Sequence, residues 1–208
     1  MLLLSKYALR VVDGTLLLQL KLHDKRRKQI KSWGIIIYLL KTLVVIMVDF
    51  KTIKVETPKD CSVILGMAHF IKTVEDLYEA LVNAVPNIKF GIGFCESSGP
   101  CLVRHEGNDE ELRQLAAQKA FEIACGHSFI IFLKNAYPIN VLDNIKKTQE
   151  VCTIYAATSN PLEVIIAETA QGRGIIGVID GAKSKGIEKE EDVEGRKEFL
   201  RKIGYKLG

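Results

Sequence analysis

The chain has 208 residues, 48% of them hydrophobic and 26% charged, enough for one domain or a domain with an extension and for burial of about 70% of its unfolded surface. The formal net charge of +4 is unevenly placed: residues 1–46 hold nine Lys/Arg against two Asp, and the rest holds 20 basic against 23 acidic residues. A phosphate-backbone binder carries its positive charge on the folded module, so no nucleic-acid partner is expected. The five cysteines, Cys61, Cys95, Cys101, Cys125 and Cys152, have no CxxC spacing and lie in or beside apolar runs. That argues against a zinc site or disulfide framework and for a reducing, cytoplasmic setting.

Residues 1–46 read differently from the remainder. Leu2–Leu4, Leu16–Leu22 and Ile35–Leu40 are apolar runs broken by the basic cluster Lys25–Lys28. Trp33–Val48 has the flavour of a membrane anchor but falls short of a span of about 20 residues and carries Lys41 in its middle. No small-residue cleavage site follows it, so no membrane association is expected. Met47 opens a segment that reads as the natural start of a domain. Residues 1–46 are therefore expected to be an extension, poorly ordered or arising from a start assigned too early, and 47–208 the functional domain.

From Met47 the elements alternate. Phe50–Glu56 and Cys61–Ala68 read as strands, the second as a nearly unbroken buried run. Thr73 and Asp76 signal a helix start, with Val74, Leu77, Tyr78 and Leu81 on its apolar face and an end near Pro86. Ile88–Cys95 and the short Cys101–Arg104 follow as strands. Asn108, with an acidic first turn, is expected to cap a second helix whose stripe is Leu112, Leu115, Ala116, Ala120 and Ile123, and Gly126 is its expected stop. Ser128–Leu133 is a strand, and Pro138 opens a short helix with Val141, Leu142 and Ile145. Val151–Ala157, Val164–Ala167 and Ile175–Ile179 are further strands, and the charged tail carries an amphipathic helix through Val193, Leu200 and Ile203. The pattern predicts an α/β fold, a mixed and mostly buried β-sheet covered by helices in one compact domain.

Polar groups follow four strand ends: His69 with Lys72, then Glu96-Ser97-Ser98-Gly99, then Thr158-Ser159-Asn160-Pro161, then Asp180-Gly181. Ligands of α/β sheets gather at strand carboxyl ends, and parallel strands would place all four loops on one rim. Gly172-Arg173-Gly174 offers a close-approach loop and a guanidinium suited to phosphate, although such a turn is equally at home in a plain hairpin. No Walker A sequence and no Gly-x-Gly-x-x-Gly before a helix occurs. His127 would stand on the opposite rim from His69 if its strand ran parallel to the others. Glu96 and Asp180 are candidates for magnesium or general-base work. Arg104 and Asn108 end a strand and a turn.

Six strings together carry a resemblance: His69–Leu77, Phe90–Gly99, Gly126-His127, Tyr137–Leu142, Ala156–Pro161 and Gly172–Gly181. In that order they resemble the adenosine-specific kinase family, compact and mostly archaeal proteins, over Val48–Gly208 and not over residues 1–46. Ser97 and Ser159 stand where the pattern has alanine. The resemblance implies an α/β fold that binds adenosine or AMP, a homo-oligomer, and a phosphorylated histidine. His69 and His127 both match histidines of the pattern, and the strand-end position favours His69. The leading expectation is an enzyme of phosphoryl transfer involving adenosine or AMP through that histidine, with magnesium, with ATP as a candidate donor, and with Lys72, Arg104 and Arg173 supplying positive charge. A non-catalytic adenosine or AMP sensor is the alternative.

Overall fold

The computed structural model describes Tyr7–Val12, Thr15–Leu20 and Val48–Gly208, which separate into two units, Met1–Met47 and Val48–Gly208. In the first unit β1 (Tyr7–Val12) and β2 (Thr15–Leu20) pair as an antiparallel hairpin. The anchor-like stretch Trp33–Val48 lies, apart from Val48, outside the described residues. Among the described residues no helix is long and apolar enough to cross a membrane.

The second unit runs β3 (Asp49–Val55), β4 (Cys61–Ala68), α1 (Thr73–Val82), β5 (Lys89–Cys95), β6 (Val103–Gly107), α2 (Glu110–Ile123), β7 (Ser128–Lys134), α3 (Pro138–Lys147), β8 (Val151–Thr158), β9 (Leu162–Glu168), β10 (Arg173–Asp180) and α4 (Glu190–Lys202). Its strands form two sheets, β6-β5-β7-β4-β8 and β10-β9-β3. The α/β reading holds, and every ladder is antiparallel. β4, β5 and β7 sit in the middle of the larger sheet and are covered on both faces, which explains their unbroken apolar runs.

One face packs Ile64, Phe90, Ile92, Phe94, Phe129 and Ile131 against Val74, Leu77 and Leu81 of α1 and Val141 and Ile145 of α3. The other face packs Val63, Leu65, Ile130 and Phe132 against α2 and against Leu162, Val164 and Ile166 of β9. The result is three layers: helices, the larger sheet, then α2 beside the smaller sheet. Helix α2 lies directly on β5. A Cβ added at Gly91 would come 2.1 Å from the Leu112 carbonyl carbon, and one at Gly93 would come 2.3 Å from the Ala116 oxygen. The Phe-Gly-Ile-Gly-Phe string is thus a bed for a close-packed helix.

Three local expectations are corrected. Asp109, not Asn108, caps α2: its side chain accepts from the Leu112 amide at 3.1 Å. Asn108 instead pins the start of β5, accepting from Phe90 N at 2.9 Å and donating to Ile88 O at 2.8 Å. Those strand-edge backbone groups lack a ladder partner there, and an amide side chain supplies both a donor and an acceptor. Helix α2 stops at Ala124 in the left-handed conformation (φ 48°), two residues before Gly126. Thr73 is the first helical residue of α1 rather than its cap, and its hydroxyl donates back to Phe70 O at 2.5 Å.

Candidate functional site

Antiparallel pairing divides the candidates between the two ends of the larger sheet. β4 and β5 run one way, β6, β7 and β8 the other. The loops after β4 and β5 therefore share one end with the beginning of β7, while Thr158–Pro161, after β8, lies at the other. The single rim expected of parallel strands does not form. His127, opening β7, stands at the same end as His69, because β7 is antiparallel to β4.

At this end the backbone links the candidates in a row. His127 N donates to Cys95 O at 2.8 Å, Ala68 N to His127 O at 2.9 Å, and His69 N to Glu150 O at 3.1 Å. His127 takes a positive φ of 62°, and its ring stacks on Phe94 with centroids 6.1 Å apart. That places the ring on the α1/α3 face of the sheet. His69 is exposed beside Phe70. Lys72 is held by Asp76, with the Glu150 carboxylate 3.7 Å away. Hydrogen bonding from Asp76, ahead of the other influences, raises the Lys72 pKa and keeps it charged.

On the opposite face of the same end opens a cleft of about 680 Å³. Glu96 and Ser97 line it from the β5 exit. Gly172, Arg173 and Gly174 line it from the β9–β10 turn, and Phe121 with Ala124 from the last turn of α2. Gly126 is the close-approach residue: a Cβ there would meet Ser97 Oγ at 2.3 Å. Neither His69 nor His127 is among the residues lining this cleft, nor is Lys72. A smaller cavity of about 250 Å³ adjoins it, sharing Gly126, Arg173 and Gly174.

Arg173 is oriented from two sides. Its Nη1 donates to Glu122 O at 3.2 Å, meeting an open carbonyl at the α2 carboxyl end, where a cation is favoured. Its Nε lies 3.3 Å from Glu168 Oε2 and its Nη2 donates to Glu168 Oε1 at 3.4 Å. A guanidinium has five N–H donors, so some remain for a ligand. Lys51 first, then Arg173, holds the Glu168 carboxyl below the usual range. Arg104 donates to Glu96 Oε1 at 2.6 Å and likewise lowers Glu96; the Leu102 amide adds a weaker pull. Glu96 Oε2 and Arg104 Nε are buried without a hydrogen-bond partner. Burial pushes Cys125 up to about 11 and raises Cys95 as well, so both thiols are neutral, apolar lining at pH 7.

Ser98 and Gly99 continue the Glu96–Ser97 loop as exposed residues, with Gly99 at φ 62°. Thr158, Asn160 and Asp180 form a separate knot at the far end. Asp180 Oδ1 accepts from Thr158 Oγ1 at 2.8 Å and from Asn160 Nδ2 at 3.1 Å, and Asn160 N donates to Thr158 Oγ1 at 3.0 Å. Asn108 also belongs to the far end. The structure therefore brings Glu96, Ser97, Gly172, Arg173 and Gly174 to one cleft. His69, Lys72, Arg104, His127, Ser98 and Gly99 share its end of the sheet, and Asn108, Thr158, Asn160 and Asp180 stand apart.

Sequence reasoning missed Phe121, Tyr155, Ser128 and Glu150. Phe121 was findable: it is a large aromatic off the buried stripe of α2 and 69% exposed. Tyr155 and Ser128 read as ordinary strand residues. Glu150, 2% exposed with neither carboxylate oxygen hydrogen-bonded, carried no local signal.

Comparison with known proteins gives a family and a structure. The family model described as "Adenosine specific kinase" matches residues 53–206. The crystal structure of the PH1918 protein from Pyrococcus horikoshii OT3 superposes with a TM-score of 0.75 at 50% sequence identity, covering 78% of this chain and 100% of that one. No curated protein matches the chain.

Proposed function

The chain belongs to the adenosine-specific kinase family, and on that premise we propose that it binds adenosine or AMP in the cleft at the β5 exit and serves phosphoryl transfer at that end of the sheet. One observation carries the reading. The cleft and the smaller cavity that adjoins it set apolar lining on either side of an oriented arginine in a glycine-flanked turn. A nucleoside monophosphate has that division between a flat apolar ring and an anionic end. Arg173 with the Gly172 and Gly174 backbone is suited to the phosphate, and the cleft's size falls within the range of small-molecule sites.

The transfer itself is the finer part of the proposal. ATP is the proposed donor. The Pγ–O bond to ADP breaks as a P–N bond forms to a histidine nitrogen and the ring proton leaves to water; the P–N bond then breaks as a P–O bond forms to the 5′-oxygen of adenosine, whose hydroxyl proton returns to the ring. His69 is the preferred carrier because it is exposed, whereas the His127 ring is stacked on Phe94. Magnesium is not given a protein-built site by these residues. Glu96 and Asp180 lie at opposite ends of the sheet, and among the described residues no three His, Cys, Asp or Glu side chains form a metal-binding group. Magnesium would therefore arrive with the phosphates of ATP. A homo-oligomer is proposed on the exposed apolar side chains Phe50, Ile176 and Ile179 on the smaller sheet and Phe199 and Ile203 at α4. A cytoplasmic setting fits five free cysteines.

The sensor reading has its own support, because neither histidine lines the cleft. Calorimetric titration of the full chain with adenosine and AMP, with guanosine as control, tests the binding common to both readings, and selective adenine binding is the expected result. Labelled ATP then separates them. Label on wild type and none on His69→Ala supports transfer through His69. Label unchanged in that variant moves the role to His127, and no label on wild type leaves the sensor.

A further inference from the structure

We propose that the smaller cavity beside the cleft is the base pocket of this site, and that Ser128 and Tyr155 there select adenine against 6-oxopurines; this rests on the adenosine-binding reading above.

The placement follows from Arg173, which stands at the junction of cleft and cavity. With the phosphate drawn to the Gly172–Gly174 turn on the cleft side, the other end of the ligand has the smaller cavity open to it. That cavity is lined by Met67, Cys125, Ser128, Tyr155 and Ile175 besides the three shared residues. A thioether, an isoleucine and a neutral thiol make apolar walls suited to a flat ring. Ser128 opens β7 opposite Met67 of β4, and Tyr155 lies on β8, the strand on the other flank of β4. The two hydroxyls thus come from strands either side of Met67.

Their hydrogen-bonding states differ in a way that reads a purine edge. Ser128 is 3% exposed and donates its hydroxyl proton to Cys125 O at 2.7 Å. A hydroxyl has one proton, so towards the cavity the Ser128 oxygen acts as an acceptor. The Tyr155 hydroxyl has as its partner the Met67 sulfur at 3.8 Å, a weak acceptor. Half-buried tyrosine hydroxyls usually find a stronger partner, so this proton is available to a ligand. Burial, reinforced by Cys125 and Cys152, raises the Tyr155 pKa and keeps the phenol protonated.

The cavity therefore presents one acceptor and one donor. Adenine carries the complement on adjacent atoms: the 6-amino group donates and N1 accepts. Hypoxanthine and guanine reverse both, with an oxygen at C6 and a proton on N1. Tyrosine can rotate to accept from N1–H, but Ser128 has no second proton to offer the 6-oxygen. Discrimination at position 6 lies with Ser128, and general affinity for ring nitrogen with Tyr155.

The test is calorimetric titration of the full chain with adenosine, inosine and purine riboside, which keeps N1 as an acceptor and lacks the 6-amino group. Adenosine is expected to bind at least about tenfold tighter than inosine, with purine riboside between them. Ser128→Ala should bring the adenosine-to-inosine ratio close to one. Tyr155→Phe should weaken adenosine and purine riboside together, by about tenfold. The wild-type ligand series needs no variant to fold, and Tyr155→Phe removes only a hydroxyl. Adenosine binding with inosine equal to it, or with the ratio and affinities untouched by both substitutions, overturns this assignment alone. Absence of adenosine binding overturns it together with the function proposed above.

Discussion

The two ends of the larger sheet hold similar residues in opposite conditions. At the far end Thr158, Asn160 and Asp180 bond to one another, and Asn108 fills the open backbone groups of β5. At the cleft end Arg173 keeps donors in hand. Among the described residues five buried side-chain atoms lack a hydrogen-bond partner: Glu96 Oε2, Arg104 Nε and both Glu150 oxygens belong to the cleft end, and Thr57 Oγ1 to the other. Polar residues after a strand mean little by type alone. What distinguishes a ligand site from a turn is whether the hydrogen-bonding capacity has already been taken up inside the chain.

That contrast makes cleft-end substitutions change binding and far-end substitutions change stability. The largest expected effect is Arg173→Ala, which should weaken AMP by about thirtyfold while adenosine changes severalfold at most, since a charge-assisted contact to phosphate is lost; calorimetry reads both. A similar loss for adenosine would mean that Arg173 builds the cleft rather than holding phosphate. Asn108→Ala should cost about 2 kcal/mol in urea unfolding, because two strand-backbone partners disappear, with AMP affinity unchanged. A drop in affinity there would erase the division between the ends. Asp180→Ala should cost about 1 kcal/mol, again without touching affinity.

The smallest effect is a pH slope. The Glu96 carboxyl is held below its ordinary value of 4.5, chiefly by the Arg104 hydrogen bond. A depressed folded pKa contributes stability that is fully present above 4.5 and lost as pH falls through the folded value. Glu96→Gln should therefore flatten the acid limb of a plot of urea midpoint against pH below 4.5, leaving the limb above it parallel to wild type.

Much of the fold was legible because local signals agreed. Unbroken runs at Cys61–Ala68 and Ser128–Leu133 marked central strands, and the Leu112–Ala116–Ala120–Ile123 stripe marked a buried helix face. Strand direction was not legible. Nothing in Val151–Ala157 tells whether it runs with or against Cys61–Ala68, and that one unknown decided which loops meet. The caps failed for a related reason: Asn108 and Asp109 are both competent caps, and only the tertiary position of β5 assigns Asn108 elsewhere. The glycine-flanked Arg173 was visible as a motif, whereas Tyr155 and Ser128 matter through the strands beside them.

The glycine bed under α2 has a consequence for how variation would be felt. Phe121 and the Glu122 carbonyl that steadies Arg173 sit on the last turn of a helix whose standoff from β5 is set by two missing methyl groups at Gly91 and Gly93. The helix acts as a shim between a strand and a binding wall. Its thickness is written at positions that touch no ligand. Small residues exchanged along that seam, Gly93 against Ala116 and Ala120, would retune the gap as a unit, so a search for altered ligand preference should sample the seam as well as the wall.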